Sequence, residues 1–414
     1  RAWGSMELTE EIIRVAARGD GVTANGRYVS LAAPGDIVDP SGGLIHGPHH
    51  VAPPCQHFPL CGGCQLQHLT AESQRELKLQ GIDALIRHQT NLPQLPWQPT
   101  LASASTGYRR RARIGIWYDK KQRRFDVGFR RQADKQIVAL DHCMVLSATL
   151  APVFGVLNQV LPQLKDPTSV THAEVLQAGS TAFVILRHIR PLSELEQQLF
   201  IAAWPEAVWV GEAEQGRFSY WQREVTPEYT LAEQDLRLQF SPDDFIQVNA
   251  ELNQQMVNQA LDWLQVKADD VVLDLYAGIG NFTLALAQRA KTVRALEGVT
   301  KMVQQLATNA KLNGLSNVEA YQADLHLSWP KASWNKPEYT KVLLDPARAG
   351  AAGAIEQIVK LKPAQILYVS CNAATFARDA AMLLQSGYRL QKICGVDMFT
   401  HTNHLELMAL FSRS

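Results

Sequence analysis

The C-terminal part of the chain, from about residue 241, contains short apolar runs separated by longer stretches with helical spacing. The runs are VVLDLYAGIG, TVRALEG, VEAYQAD, KVLLDPAR, QILYVSCN and HLELMALF. Strands that alternate with helices predict βαβ units and a doubly wound α/β sheet. Ligands bind such a sheet at the carboxyl ends of its strands. The residues that end these runs are therefore the first candidates for a functional site.

Chain length and composition limit the class of protein. With 414 residues, the chain is too long for one ordinary core, which predicts more than one domain. We predict a small barrel over residues 7–50, a β-rich central domain over 51–240 and an α/β domain over 241–414. A hydrophobic fraction of 46% and a charged fraction of 19% are typical of a folded, soluble protein.

Targeting signals are the next question for the sequence. We find no apolar run of membrane-spanning length and no signal segment, so we expect a cytoplasmic protein without a membrane partner. We also expect a monomer without a DNA partner. The chain begins with RAWGSM, which resembles a tag remnant followed by a native Met6, and this segment does not enter the fold prediction.

Charge is unevenly distributed along a chain that is neutral overall, with 40 basic and 40 acidic residues. The stretch YRRRARIGIWYDKKQRRFDVGFRRQADK carries eleven Lys or Arg against three Asp. A basic face of this kind suits a phosphate backbone, although a solvated hairpin face would explain the composition equally well. The candidate RNA-binding residues are Arg109, Arg110, Arg111, Arg113, Arg130 and Arg131. Alternation predicts strands with aromatic side chains on one face, namely Tyr108, Trp117, Tyr118, Phe125 and Phe129.

A glycine-containing turn follows the first strand of the α/β domain, in DLYAGIGNF. Gly278 begins a G-x-G turn that lets a ligand approach the backbone, and Glu297 ends the next strand, where a carboxylate can bind both hydroxyls of a ribose. A nicotinamide turn would have a third glycine where this chain has Thr283. A purely structural turn is the simpler alternative. Asp274, the glycines and Glu297 together resemble the S-adenosylmethionine site of class I methyltransferases, with Asp324 beside the adenine and Asn281 near the methionine end.

Three further strand ends carry reactive groups. Asp345 follows the fourth strand, Cys371 follows the fifth, and Glu406 lies in an otherwise apolar strand, where a carboxylate is costly unless it is used or paired. The helix that begins after Cys371 is expected to lower the pKa of its thiol. A thiolate that adds to C6 of a pyrimidine makes C5 nucleophilic. We predict Cys371 as nucleophile, Glu406 as the base that removes the C5 proton, and Asp345 as the group that recognises uracil.

Five segments occur in an order that resembles the RNA 5-methyluridine methyltransferases, and most closely their bacterial 23S rRNA branch. These segments are DFIQVNAELNQQM, DLYAGIGNF, LLDPARAG, YVSCNAATFARD and HTNHLELMALF. The resemblance implies RNA as partner, S-adenosylmethionine as methyl donor, Cys371 as nucleophile and Glu406 as base. It places the cofactor contacts on Gln247, Tyr276, Asn281, Glu297, Asp324 and Asp345. The segment RVAARGDGVTANGRYVSLAAPGDIV is similar to the start of a TRAM domain, an RNA-binding barrel that looks shortened here.

Four cysteines are candidates for a metal site. Cys55, Cys61 and Cys64 are clustered, and Cys143 lies far along the chain. Four thiolates can hold zinc or a [4Fe-4S] cluster, and the single Cys-x-x-Cys pair fits the cluster better than a zinc ribbon. The family resemblance implies a [4Fe-4S] cluster. We expect its role to be structural, because the predicted chemistry needs no electron transfer. The alternative ligands, His57 and His68, are interpreted as ordinary surface or loop histidines, and Cys394 as a packing residue.

Three other functions remain open at this point. The same chemistry could act on the T-loop uridine of tRNA, but the cysteines favour rRNA because the tRNA-directed relatives generally lack them. A non-catalytic iron–sulfur RNA-binding protein would keep the basic ribbon without needing Cys371 or Glu406, both of which are present. A DNA cytosine-5 methyltransferase would carry its thiol in a Pro-Cys motif, whereas Ser370 precedes Cys371 here.

Overall fold

The computed structural model describes residues 9–413. The hexapeptide RAWGSM and the first two residues of the predicted barrel lie outside the described residues. The chain divides into two compact units. The first comprises the chain up to Lys78, residues 104–225 and Phe399–His404, and the second comprises residues 79–103, 226–398 and the chain from Leu405. The three predicted domains, with boundaries at residues 50 and 240, stay a prediction.

A small antiparallel sheet begins the first unit. Its strands are β1 (Glu10–Val15), β2 (Gly21–Thr23), β3 (Tyr28–Val29), β4 (Ile37–Val38) and β5 (Leu44–Ile45). Their order is β3-β2-β1-β4-β5, and Ile12, Ala32 and Val38 form its small core. Turns that contain Gly19, Gly26, Gly35 and Gly42 connect these short strands. Helix α1 (Ala71–Thr90) follows the clustered cysteines.

A seven-stranded sheet forms the larger part of the first unit, in the order β12-β11-β10-β9-β6-β7-β8. Its strands are β6 (Arg111–Asp119), β7 (Arg124–Arg130), β8 (Ile137–Ala139), β9 (Val170–Ala178), β10 (Thr181–His188), β11 (Val208–Glu214) and β12 (Arg217–Tyr220). Helices α2 (Val153–Val160) and α3 (Glu194–Ala203) accompany it. Helix α3 begins at a capping box formed by Ser193 and Glu196, which satisfies amide groups that a helix start leaves unpaired.

The second unit contains the predicted α/β sheet and a short hairpin, β13 (Glu228–Leu231) and β14 (Leu236–Gln239). The sheet strands are β15 (Val271–Leu275), β16 (Thr292–Glu297), β17 (Val318–Gln322), β18 (Lys341–Leu344), β19 (Gln365–Ser370), β20 (Tyr388–Val396) and β21 (Glu406–Arg413). Its helices are α4 (Ala250–Leu264), α5 (Thr283–Ala287), α6 (Thr300–Leu312), α7 (Ala352–Leu361) and α8 (Ala373–Gln385).

The strand order of this sheet is β17-β16-β15-β18-β19-β21-β20. Strands β15 to β19 pair in parallel, and β21 pairs antiparallel with both β19 and β20. The order reverses between β15 and β18, which is where open α/β sheets bind ligands. The predicted doubly wound fold is therefore confirmed. Among residues 9–413, no helix has both the length and the apolarity needed to cross a membrane.

Asp379 in α8 holds the loop after β18 against β19. Its side chain is buried, and one carboxylate oxygen accepts hydrogen bonds from the Ala351 amide at 2.8 Å and the Tyr368 hydroxyl at 2.6 Å. Buried donors that lose their acceptor are costly. This carboxylate therefore fixes the loop that carries Asp345 and Arg348.

We predict that Asp379→Ala lowers the free energy of unfolding by about 2 to 5 kcal/mol, because two buried donors lose their partner. The measurement is a urea titration followed by circular dichroism. Asp262→Ala, at an exposed position of α4, is the matched control and should change stability by no more than about 0.5 kcal/mol. Equal effects of the two substitutions would contradict the role given to Asp379.

Candidate active site and cysteine cluster

Three strand ends of the second unit meet at one edge of its sheet. Strands β15, β18 and β19 are neighbours, with Asp274 opposite Leu343 and Leu344 opposite Tyr368. Asp274 lies near the end of β15, and Asp345 and Cys371 directly follow β18 and β19. Parallel pairing in register therefore places the three side chains at the same edge.

Glu406 reaches this edge from the opposite chain direction. It is the first residue of β21, which runs antiparallel to β19 with Leu407 opposite Ser370. The start of β21 therefore lies beside the end of β19, next to Cys371. The Glu406 side chain is buried, with 6% of its residue surface exposed. The structure thus brings together the predicted nucleophile, the predicted base and Asp345.

The glycine turn after β15 orients Glu297. Tyr276, Gly278 and Gly280 have positive φ angles of 59°, 59° and 106°, a region that glycine adopts without steric cost. One Glu297 oxygen accepts a hydrogen bond from the Gly278 amide at 3.2 Å, and the other accepts from the Val299 amide at 2.7 Å. The predicted ribose-binding carboxylate is thereby fixed against the turn.

Asp274 is held by a residue that the sequence did not identify as part of the site. The Thr283 hydroxyl donates to the Asp274 carboxylate at 2.5 Å. Burial raises the pKa of Asp274 to about 7, with the charge of Glu297 adding to the shift and the Thr283 hydrogen bond opposing it. Thr283 entered the sequence argument only as a missing glycine, and no spacing rule relates it to Asp274.

Asn281 is engaged by two other polar side chains. Its amide oxygen accepts from the Tyr229 hydroxyl at 2.7 Å and from the Asn253 amide at 2.9 Å, and its own amide group donates to Asn253 at 2.8 Å. Asn281 therefore locks the glycine turn onto β13 and α4. A contact with the methionine end of the cofactor stays a prediction.

The other predicted cofactor residues lie in different environments. Asp324 is exposed after β17 and accepts a hydrogen bond from the His326 amide at 3.0 Å. The Tyr276 hydroxyl is buried and has no hydrogen-bond partner in the described part of the chain. Gln247 is buried in the segment before α4, close to Asn249, whose side chain caps that helix at the Leu252 amide. Phe245 in the same segment is 69% exposed, and sequence reasoning did not single it out.

The loop at Cys371 is fixed by the residue after it. Asn372 accepts hydrogen bonds from the Ala374 and Thr375 amides at the start of α8, and its own amide group donates to the Arg348 carbonyl at 3.1 Å. Such a cap satisfies the first amides of the helix. The same residue thereby ties the loops after β18 and β19 together.

The thiol of Cys371 differs from expectation. Burial raises its pKa, the charges of Glu406 and Asp345 raise it further, and Arg348 opposes the shift. Desolvation and nearby negative charge both disfavour a thiolate, so here they outweigh any benefit from the helix start. The expectation of a lowered thiol pKa was therefore wrong.

The carboxyl group of Asp345 is also perturbed. Burial raises its pKa well above the usual range, and the charges of Glu406 and Asp274 add to this shift. Carboxylates that share a site resist simultaneous ionisation. A protonated carboxyl group both donates and accepts hydrogen bonds, which suits recognition of a base edge.

The predicted metal-binding cysteines come together in the first unit. Burial raises the pKa of the Cys64 thiol to about 12, and Cys143, Cys61 and Cys55 each raise it further by their charge. Burial likewise raises the pKa of Cys61 and of Cys143. Cys55, Cys64 and Cys143 also pack in one small cluster beside Phe58. Four neighbouring thiols are the ligand set that zinc or a [4Fe-4S] cluster takes.

The two alternative histidine ligands lie in contrasting places. His68 is fully buried and stacks on Phe58 with ring centroids 5.8 Å apart. It lies in a turn before α1, so it is a loop residue, as interpreted, but not a surface residue. His57 forms a group with Asp141 and His142, whose possible ligand atoms lie within 4.8 Å of one another.

The predicted RNA-binding arginines differ in exposure, because side chains alternate between the two faces of a strand. Arg113 and Arg130 are exposed, and Arg109, Arg111 and Arg131 are partly exposed. Arg110 is buried, with 5% of its surface exposed, because it alternates onto the inner side with Ala112 and Ile114 of β6. It therefore does not belong to the exposed basic face, contrary to the prediction.

We predicted that the aromatic residues of the same segment lie on one face of the sheet, but they do not. Trp117 is 63% exposed, whereas Tyr108 is buried. Tyr118 packs on Phe125 with ring centroids 4.9 Å apart, and Phe129 packs against the core of the sheet. Only Trp117 among these five therefore offers a largely open ring.

Known proteins resemble this chain in sequence and in fold. The family model described as tRNA (Uracil-5-)-methyltransferase matches residues 74–325 and 332–414. The chain belongs to this family. Relatives named 23S rRNA (uracil(1939)-C(5))-methyltransferase RlmD include one from Aliivibrio salmonicida, 43% identical over 87% of this chain and 82% of that protein. One from Edwardsiella ictaluri is 42% identical over 89% of this chain and 83% of that protein.

A solved structure extends the likeness to the fold of nearly the whole chain. It is the Pyrococcus abyssi tRNA (uracil-54, C5)-methyltransferase in complex with S-adenosyl-L-homocysteine. The TM-score is 0.76 at 22% identity, and the match covers 98% of this chain and 99% of that one. The fold of this chain therefore matches that of a solved structure over nearly its whole length.

We predict that iodoacetamide modifies Cys371 slowly at neutral pH, because the thiolate is the reactive form and its pKa lies above the ordinary value of 9.0. The rate should rise about tenfold per pH unit up to and beyond pH 9, as measured by mass spectrometry of the Cys371 peptide. Glu406→Gln removes a negative charge and should move this profile to lower pH. A plateau of the modification rate below pH 9 in the chain without substitutions would contradict the raised pKa of Cys371.

Proposed function

We propose that this chain transfers a methyl group from S-adenosylmethionine to C5 of a uridine in 23S rRNA. The observation that carries the proposal is the meeting of Cys371, Glu406 and Asp345 at one sheet edge, beside the turn that orients Glu297. Membership of the uracil-5-methyltransferase family supports the reaction, and relatives at 42–43% identity that are named for position 1939 of 23S rRNA support the substrate.

The residues around the glycine turn fit the proposed cofactor. Bound S-adenosylmethionine would supply an electrophilic methyl group on a sulfonium. Glu297 would accept hydrogen bonds from the ribose hydroxyls, and the backbone at Gly278 would allow close approach. Asp324 would lie beside the adenine, and Gln247, Tyr276, Asn281 and Asp345 would complete the contacts. The negative charges at this edge favour a cationic ligand.

Cys371, Glu406 and Asp345 would each have a separate role in the proposed reaction. Cys371 would first lose its thiol proton to solvent, an ionisation that a bound cation would favour. Its thiolate would then form a bond to C6 of the uracil and push an electron pair toward C5, which takes the methyl group. Glu406 would accept the C5 proton, and the electron pair of that C–H bond would reform the C5–C6 double bond as the sulfur leaves. Asp345, which favours its protonated form, would donate to the O4 carbonyl and accept from N3–H, a pattern that cytosine does not offer. The target base would have to leave its stack to reach Cys371.

The RNA contacts proposed for the first unit rest on its exposed cations. Arg109, Arg111, Arg113, Arg130 and Arg131 would neutralise phosphates, and the small N-terminal sheet would act as a shortened TRAM-like module. A monomer would suffice for this chemistry. The alternative substrate, the T-loop uridine of tRNA, would be methylated by the same side chains.

We predict that Cys371→Ala abolishes methyl transfer while S-adenosylhomocysteine binding survives, because the nucleophile is lost and the cofactor contacts remain. Activity would be measured with labelled methyl donor on 23S, 16S and tRNA transcripts, and the product would be mapped by mass spectrometry. Methylation of tRNA alone would overturn the proposed substrate. Normal turnover by this variant would overturn the proposed nucleophile.

We predict that Glu406→Gln traps a covalent adduct between protein and RNA, because the C5 proton is no longer removed and the sulfur cannot leave. The adduct would be detected as a shifted band on a denaturing gel. The double variant with Cys371→Ala is the control and should show no shift. Normal product release by Glu406→Gln would assign the proton to another residue.

We also propose that Cys55, Cys61, Cys64 and Cys143 hold a [4Fe-4S] cluster. The mutual proximity of four thiols supports this proposal, and an even set of soft ligands suits iron or zinc. The cluster would fix the cysteine loop beside the basic strands, since the proposed methyl transfer needs no electron transfer.

We predict that protein prepared without oxygen contains iron and acid-labile sulfide in equal amounts, and that Cys64→Ser loses both. Cys394→Ser is the matched control, because Cys394 is also buried but lies in the second unit, where it accepts a hydrogen bond from Gln259 at 2.9 Å. Elemental analysis and a sulfide assay are the measurements. Stoichiometric zinc without sulfide would decide for the zinc alternative.

A further inference from the structure

A turn of six residues, Phe399–His404, lies between β20 and β21 and ends just before Glu406. Its contacts make it part of the first unit, whereas Glu406 begins a strand of the second. Only Leu405 separates the turn from Glu406 along the chain. The backbone of the turn therefore continues into Glu406 through a single residue.

The centre of the turn is His401, in a conformation that needs support. Its φ angle is 74°, a region that costs free energy for residues other than glycine. Two successive amides, those of Gln65 and Leu66, donate to its carbonyl at 2.8 and 2.9 Å. These contacts hold a backbone that would not adopt this conformation by itself.

Gln74 of α1 provides the matching contacts on the other side of His401. Its side chain is fully buried, and its amide oxygen accepts from the His401 backbone amide at 2.7 Å. Its amide nitrogen lies 3.0 Å from His401 Nδ1 and donates to the carbonyls of Leu66 at 2.9 Å and Leu69 at 3.1 Å. One side chain thus joins the turn to the segment that follows the clustered cysteines.

Two further side chains hold the ends of the turn. The Tyr108 hydroxyl donates to the Thr400 carbonyl at 2.8 Å. The Lys78 ammonium group, one helical turn after Gln74, donates to the His404 carbonyl at 3.0 Å. Because His404 lies two residues before Glu406, Lys78 acts on the last part of the turn.

We propose that Gln74 is a positioning residue for Glu406, which acts by holding the His401 turn and so fixes the start of β21. The inference rests on the proposed role of Glu406 as the base. Proton transfer requires hydrogen-bond distance between base and proton, and a displacement of about 1 Å can slow a reaction about 100-fold. Loosening the turn should therefore slow proton removal more than the earlier attack by Cys371.

The test compares Gln74→Met with Gln80→Met during turnover on 23S rRNA. Methionine keeps the length of the side chain but removes the two contacts of Gln74 with His401. Gln80 is exposed on the same helix. For Gln74→Met we expect the steady-state fraction of covalent protein–RNA adduct to rise about tenfold as turnover falls. S-adenosylhomocysteine affinity should stay unchanged, and Gln80→Met should match the unmodified chain.

A loss of folded protein would lower turnover and adduct in proportion, which distinguishes a merely structural role from positioning. Unchanged turnover, or a fall in turnover per folded protein without a rise in the adduct fraction, would overturn the proposal. Lys78→Met provides a second variant if Gln74→Met does not fold, and it should raise the adduct in the same direction. If neither Gln74→Met nor Glu406→Gln accumulates adduct, the proposed role of Glu406 itself is overturned. If only Glu406→Gln accumulates adduct, only the role of Gln74 is overturned.

Discussion

The in-register parallel pairing of β15, β18 and β19 is the constraint on which the candidate active site depends. It places Asp274, Asp345 and Cys371 at one sheet edge, although more than 90 residues separate the first from the last along the chain. The antiparallel β21 then adds Glu406 to the same edge. A shift of one residue in any of these pairings would turn the side chains toward the opposite face.

This gathering of acids has an electrostatic cost. Burial and neighbouring charge raise the pKa of Asp274, of Asp345 and of the Cys371 thiol. Perturbed groups of this kind are typical of functional sites, because a fold under no functional demand would avoid buried like charges. A cationic ligand would relieve the repulsion, which agrees with the proposed sulfonium cofactor.

Strand alternation decides which part of the basic segment reaches solvent. The sequence predicted the strands and the excess of positive charge correctly, but it assigned Arg110 to the exposed face. The side chain alternates inward with Ala112 and Ile114, and the aromatic residues divide between the two faces for the same reason. The phase of an alternating pattern is uncertain when Arg and aromatic residues occupy both phases, because each has apolar parts that can pack inside.

By itself, the sequence determined the α/β fold, and it indicated which strand ends carry reactive groups and which four cysteines are candidate metal ligands. It could do so because hydrophobic periodicity and short motifs are local properties of the chain. Only the tertiary structure decided what surrounds those groups. The hydrogen bond from Thr283 to Asp274, the engagement of Asn281 by Tyr229 and the contact of Gln74 with His401 join residues from separate elements. The raised pKa of Cys371 arises in the same way, since desolvation and the charge of Glu406 act through space and leave no pattern along the chain.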